Sequence, residues 1–364
     1  MKPPVETHIN QSSRRDILRT AGVAAVMATL PGAFAGARGA RAQSASAPAA
    51  ADLIMRRIPR TNQAVPAIGL GSFMTFDLVP GQKRAHIQEV VSRFWQAGGR
   101  VFDVSPLYGM SEVNLGDFAT SLGINDQMFI ANKIWSTGDY LGDSSHADRS
   151  LKTSVERLWR DKIDLLQCHS LTSVDFVVPL MNAWKKEGRV RYVGATHHEP
   201  AYFGLLAEWI ERGNLDFVQV RYSIHTRLAE ERVLPVAADR GAAVLVNMPL
   251  EKARLHKLVE GRALPAFARE LGIETWSEFF LKWVISHPAV TCAIPATSNP
   301  DHVRENVRAM RGPLPDREMR TRMVRHMETI PGFDQLDRGA PSWYPGKAYA
   351  GMVGRALAEL RTRT

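Results

Sequence analysis

From residue 58 onward, short apolar runs alternate with helix-length amphipathic stretches. The runs cover residues 68–72, 100–103, 128–133, 163–169, 190–196, 217–222, 242–248 and 291–295, eight in all. None keeps a strict polar and apolar alternation, so each reads as a strand covered on both faces, as in a parallel sheet wrapped by helices. A closed (β/α)8 barrel, the TIM barrel, accounts for the count directly. The competing doubly wound dinucleotide fold needs Gly-x-Gly-x-x-Gly opening a helix after its first strand. Here Gly69-Leu70-Gly71 runs on into Ser72, Phe73 and Met74. Ahead of the alternation, two short apolar segments flank Thr61-Asn62-Gln63 between residues 58 and 71, a hairpin signal. Beyond Pro313 the rhythm breaks into a charged helix at 316–328, an irregular Pro/Gly/Trp/Tyr stretch at 331–346 and a short Ala-rich helix. Such a tail can fold over one mouth of a barrel.

The N-terminal residues belong to a different pattern. Ser13-Arg14-Arg15-Asp16-Ile17-Leu18-Arg19 precedes a mild apolar run at 20–36, and Ala40-Arg41-Ala42 offers small residues where a signal peptidase cuts. The twin-arginine pair resembles a Tat export signal, while the apolar run is too short and too rich in Ala and Gly to span a bilayer. The expected organisation is therefore a signal peptide over 1–42, a Ser/Ala/Pro-rich flexible leader over 43–57, a barrel over 58–312 and a C-terminal extension over 313–364, with the mature protein in the periplasm. Cleavage after Ala42 removes six basic and two acidic side chains, so the formal charge falls from +9 to +5. That modest excess, without a Lys/Arg stripe interleaved with aromatics, argues against nucleic acid and leaves room for a small anionic ligand. Cys168 and Cys292 both fall in expected buried strands and read as free thiols.

In a parallel barrel the C-terminal strand ends converge on one mouth. The second run ends in Asp103 with Tyr108 just beyond, the third in Lys133 and the fourth in His169. Taken singly, each has a structural reading as a helix cap, a packing tyrosine, a snorkelling lysine or a core histidine. Together they form a set suited to delivering a proton to a carbonyl oxygen. A phenol with an ordinary pKa near ~10 becomes a better acid beside an ammonium, which Asp103 would hold charged and His169 would supplement.

These residues resemble the aldo-keto reductase family. Phe102-Asp103 with Tyr108-Gly109 matches its first signature, and Ser150-Leu151, Arg157-Leu158, Asp161 and Ile163-Asp164-Leu165 leading to His169 match its second. Ile294-Pro295, Ser298-Asn299-Pro300 and Glu305-Asn306 match its cofactor-binding stretch. The resemblance implies a (β/α)8 barrel that binds NADP(H) without a Rossmann fold, with Asp103, Tyr108, Lys133 and His169 as the catalytic set and Tyr108 as general acid/base between a carbonyl and an alcohol. It further implies cofactor contacts from Gly71, Ser72, Asp103, Thr196, Gln219, Pro295, Ser298, His302, Glu305 and Asn306. Gln219 would bind the nicotinamide carboxamide and Tyr222 would stack on the ring. The chain departs from the family after the fifth strand, where Thr196-His197 stands for the common Ser-Asn, leaving His197 as the carboxamide donor. It departs again where relatives place a lysine and an arginine for the 2′-phosphate, since Ala296 and His302 stand there; NADP(H) is favoured and NAD(H) possible. No metal is expected at His197-His198-Glu199. The other reading of such a barrel is a redox-sensing or non-catalytic binding subunit.

Overall fold

The computed structural model describes residues 53–136, 143–338 and 351–353, all within the unit Ala47–Thr364. The expected signal peptide over 1–42, most of the expected leader, and Trp343-Tyr344 of the tail lie outside the described residues. The leader ends earlier than expected. A strand β1 (Met55–Arg57) pairs antiparallel with β2 (Ala64–Pro66), Met55 opposite Pro66, and Ile54 N–H donates to Met310 O at 2.8 Å. Asn62 turns this hairpin with φ 60°, a left-handed conformation that asparagine tolerates well.

The eight apolar runs form eight parallel strands in sequential order: β3 (Leu70–Gly71), β4 (Val101–Asp103), β5 (Phe129–Ile134), β6 (Ile163–Cys168), β7 (Val190–His197), β8 (Phe217–Arg221), β9 (Ala243–Asn247) and β10 (Val290–Ala293). Parallel bridges Ile68–Ala293 and Gly71–Ala296 join the first of these to the last, which closes the sheet into a barrel. At that seam a Cβ on Gly71 would come within 2.9 Å of Ile294 O, so only glycine lets the two main chains approach this closely. The main helices around the barrel are α1 (Ala85–Gln96), α2 (Ser111–Leu122), α3 (Ser145–Leu158), α4 (Val174–Lys186), α5 (Phe203–Glu211), α6 (Val233–Arg240), the short α7 (Arg254–Leu258), α8 (Trp276–Ile285) and α9 (Pro300–Arg308). α10 (Arg317–Glu328) follows, with Asp316 capping it through Met319 N–H at 2.8 Å.

Both faces of the eight barrel strands are buried apart from Arg191 of β7 and the half-buried Asn247 of β9, but in different company. One parity packs outward against the helices in the larger apolar cluster. The other points inward, where Val101, Phe129, Ala131, Leu165, Tyr192, Phe217, Ala243, Leu245, Cys292 and Ile294 fill the barrel and Ile58 and Val65 of the hairpin close its floor. Cys168 and Cys292 are buried free thiols, pushed upward by burial. The extension packs on the barrel side: Trp283 Nε1–H of α8 donates to Arg320 O of α10 at 3.2 Å. It also reaches the rim, where Asp337 pairs with Arg221 at 2.7 Å and Val353 N–H donates to Asp77 Oδ2 at 2.7 Å.

Candidate active site

The inward parity that is apolar low in the barrel turns polar at the C-terminal ends. Asp103, Lys133, Gln167 and Gln219 sit one pleat above the apolar filling on their own strands, and Thr196 sits one pleat above Gly194. Lys133 Nζ donates to Asp103 Oδ1 at 2.6 Å and to Val104 O at 3.1 Å, with the two residues 2% and 4% exposed. Gln219 Nε2 donates to the same carboxylate oxygen at 3.2 Å, while Gln219 Oε1 accepts from Gln167 Nε2 at 3.2 Å. Burial pushes the Asp103 carboxyl up and the Lys133 ammonium down, and each partner's charge works against the other's shift.

Tyr108 lies above this pair on the turn after β4. The Lys133 ammonium is 4.9 Å from its ring centroid, Phe73 packs edge-on at 4.9 Å and His169 at 5.9 Å. The turn is tight: Tyr108 N–H donates to Ser105 O at 3.0 Å, and Gly109 takes φ 59° where a Cβ would lie 2.1 Å from Asp77 Oδ1. Asp77 Oδ1 also accepts from Met110 N–H at 3.0 Å, so the turn is anchored on both sides of its glycine. The His169 imidazole, at the end of β6, is pushed down to about 3, by burial first and then by the charges of Lys133, His198 and His197. It is therefore neutral at physiological pH.

A cavity of about 550 Å³ opens over these groups, within the usual range for a small-molecule site. Asp103, Tyr108, Lys133 and His169 all line it, as do Gly71, Ser72, Thr196, Gln219, Pro295, His302, Glu305 and Asn306. Three expected contacts do not reach it. Tyr222 is 0% exposed in the strand–helix layer, its ring against Trp283 at 5.2 Å and its hydroxyl bonded to Glu230 and to Arg320 at 2.6 Å. It follows the inward Gln219 and Arg221 in the opposite parity, so it cannot stack on a ligand in the barrel mouth. His197 is likewise out of phase with Thr196: its Nδ1 accepts from Glu199 N–H at 3.1 Å and its ring stacks on Tyr202 at 4.0 Å. Ser298 is not part of the lining.

Other lining residues lie outside the expected set. His198, in phase with Thr196, replaces His197 at the wall. Asn247 ends β9, the loop after it supplies Met248, Lys252 and Ala253, and His256 of α7 follows. Three successive non-glycine residues of that loop, Glu251, Lys252 and Ala253, have φ of 50°, 53° and 65°. Buried ion pairs hold them: Glu251 accepts from Arg221 Nε at 3.1 Å, Arg254 at 2.9 Å and Ser223 Oγ at 2.6 Å. Burial, then the Arg254 and Arg221 charges, pushes Lys252 down to about 8. Among the described residues, no group of three or more His, Cys, Asp or Glu side chains is arranged to hold a metal ion.

Residues 67–323 match the Aldo/keto reductase family. The chain belongs to the aldo-keto reductase family. As a member of this family of oxidoreductases it is 26% identical over 269 residues to the NADH-specific methylglyoxal reductase of Escherichia coli (strain K12), covering 61% of this chain and 81% of that one. It is 23% identical over 289 residues to an uncharacterized oxidoreductase of Bacillus subtilis (strain 168), 70% of this chain and 90% of the relative. The fold is that of a Klebsiella pneumoniae aldo-keto reductase solved in complex with NADPH, with a TM-score of 0.63, 23% identity, and coverage of 75% and 95%. It is also that of the holo form of a Bacillus halodurans aldo-keto reductase, with a TM-score of 0.61, 22% identity, and coverage of 75% and 96%. The match to the family runs past residue 312 into α10, the helix that packs beside α8.

Proposed function

We propose that this aldo-keto reductase interconverts a small carbonyl compound and the corresponding alcohol with a nicotinamide dinucleotide. The observation that carries the reading is the buried Lys133–Asp103 pair directly beneath Tyr108, with a neutral His169 beside it in one cavity wall. The cavity fits such a cofactor chemically. Gln219 presents an amide; Asn247 lines the cavity with a buried Oδ1 that lacks a hydrogen-bond partner, an acceptor suited to a carboxamide N–H. Lys252 brings an ammonium and His198, its imidazole pushed down by burial, a neutral ring N–H, both donors suited to phosphate oxygens.

When bound, the dinucleotide supplies the hydride that reaches the carbonyl carbon. Tyr108 gives its proton to the carbonyl oxygen, and the Lys133 ammonium stabilises the phenolate left behind. Asp103 holds that ammonium in place, His169 donates to the same oxygen, and the phenolate recovers its proton from water. In the oxidative direction Tyr108 acts as base. The far end of the cavity leaves room for NAD(H): Ala296 and His302, where the family commonly places a lysine and an arginine, line the stretch that by family likeness receives the 2′-phosphate. Arg308 is engaged there with Glu274 and Glu278 at 2.7 and 2.9 Å. The NADH-specific relative supports this choice, and the Klebsiella enzyme's complex with NADPH supports the other. Residues 1–42 would direct export by the twin-arginine pathway, with a nucleotide acquired before export retained in the periplasm.

The experiment is Tyr108→Phe, assayed with methylglyoxal and with a panel of aldehydes, ketones and sugars. Turnover is lost while NADH binding, read by quenching of protein fluorescence, is kept; a fully active variant refutes the reading. Titrating NADH against NADPH decides the cofactor, and fractionating cells that express the Arg14→Lys, Arg15→Lys chain decides the export.

A further inference from the structure

Ser105 is wholly buried just beyond β4, and its hydroxyl has two neighbours. It accepts from Leu107 N–H at 3.2 Å and lies 3.3 Å from His169 Nδ1. A buried hydroxyl needs an acceptor for its own proton, and among the described residues the hydrogen bonds of Ser105 Oγ provide one, the ring nitrogen. With its Nδ1 accepting, a neutral imidazole carries its proton on Nε2. The opposite tautomer would leave the Ser105 proton buried without an acceptor. It would also turn the Nε2 lone pair on a carbonyl oxygen, two acceptors face to face.

The geometry points to Ser105 as a positioning residue that fixes His169 in its Nε2–H tautomer, so that the imidazole donates to the substrate oxygen instead of accepting. This rests on the reading of the cavity as a carbonyl-reducing site. The division of labour is local. The end of β6 and the Ser170 N–H bond to Thr196 Oγ1 at 3.3 Å hold the main chain at His169, while Ser105 sets the ring. Burial and the nearby Lys133 charge keep that ring neutral, which is the state in which a tautomer choice exists.

Long-range ¹H–¹⁵N correlation spectra of the whole protein, with His169 assigned through His169→Asn, read the tautomer without any turnover. In the wild type, Nδ1 resonates as the unprotonated nitrogen and Nε2 as the protonated one. In Ser105→Ala the two move toward averaged positions, and Ser105→Cys, a weaker donor of nearly the same size, falls between. A wild-type ring protonated on Nδ1, or an unchanged spectrum in Ser105→Ala, overturns the proposal. With methylglyoxal and NADH as probes, Ser105→Ala lowers kcat roughly threefold to tenfold, the worth of one oriented hydrogen bond, at unchanged NADH affinity. The same substitution made in His169→Asn lowers it no further, whereas an equal drop in both backgrounds shows a role independent of the ring and refutes the assignment. If the wild type turns over no carbonyl probe, or Tyr108→Phe stays active, the functional reading fails, and the spectra still decide the tautomer.

Discussion

Asp103→Asn and Lys133→Met break one 2.6 Å ion pair from opposite sides, so their costs should depend on pH in opposite senses. In Asp103→Asn the ammonium stays buried with only neutral acceptors, the amide oxygen at position 103 and Val104 O at 3.1 Å, and it escapes the desolvation by releasing its proton. From an ordinary value near ~10.4, that release costs at most about 4.6 kcal/mol at pH 7 and about 1.9 kcal/mol at pH 9. The unfolded chain then binds one proton more than the folded one, so the variant gains stability as pH rises, by up to ~1.4 kcal/mol per unit. In Lys133→Met the carboxyl group escapes by taking up a proton. From ~3.9, this costs at most about 4.2 kcal/mol at pH 7 and about 1.5 kcal/mol at pH 5. Here the folded chain binds the extra proton, and the variant loses stability as pH rises. Gln219 Nε2–H, 3.2 Å from the carboxylate, eases the second cost somewhat. Urea unfolding followed by tryptophan fluorescence, each variant against the wild type at pH 5 to 9, measures both slopes with other groups cancelling. Losses that are flat with pH, or slopes of the same sign, refute the account of the pair as two mutually sustained buried charges.

Lys282 is a buried lysine whose Nζ donates to Leu271 O, Arg311 O and Pro313 O at 3.3, 2.7 and 2.8 Å, tying α8 to the chain ahead of α10. Lys282→Met leaves those carbonyls unpaired and costs roughly 2 to 3 kcal/mol in urea unfolding, and a loss below about 0.5 kcal/mol contradicts this. Asp77 accepts main-chain N–H bonds from Met110 and Val353 on separate oxygens at 3.0 and 2.7 Å. Asp77→Asn turns an amide N–H on one of them, so trypsin should trim the C-terminal segment faster, and identical digestion courses would show that the contact holds nothing. His169, pushed down to about 3, stays neutral from pH 5 upward. His169→Asn should therefore lower kcat without moving any acid limb, and a limb near pH ~6.5 that vanishes with the histidine contradicts the neutral ring.

The eight strands were legible because a parallel barrel buries both faces of each, which writes its strands as unbroken apolar runs. The hairpin was legible only in part: Met55-Arg56-Arg57 has no strand pattern of its own and is extended because β2 lies beside it. The same unbroken runs hid the facing of individual side chains. In β7 and β8 both parities are buried, so motif position alone could not separate Thr196 from His197 or Gln219 from Tyr222, and the structure sends the second of each pair outward. A count of parity from Asp103, Lys133 and Gln219, taken as inward, would have selected His198 over His197. The wall after β9 was beyond such counting. Glu251, Lys252 and Ala253 adopt left-handed backbone without a glycine to announce it, under constraint from Arg221 and Arg254.

The site divides into two layers with different mechanical support. Asp103 and Lys133 lie on strands whose neighbours are register-paired, Asp103 with Ala131 and Lys133 with Gln167, and the pair is sealed in the barrel. Tyr108 and His169 lie beyond the strand ends and face the cavity, held by the Asp77-anchored turn and by Ser105. A change in the lower layer alters the charge state of a buried pair and must register in stability as well as in rate. A change in the upper layer removes a donor from the cavity wall and should register in rate while the barrel stands. Tyr108→Phe with wild-type unfolding but no turnover, set beside Asp103→Asn with a pH-dependent stability loss, would separate the two layers. If Tyr108→Phe were as destabilising as Asp103→Asn, the phenol would belong to the packing of the barrel, and the assignment of proton delivery to it would lose its footing.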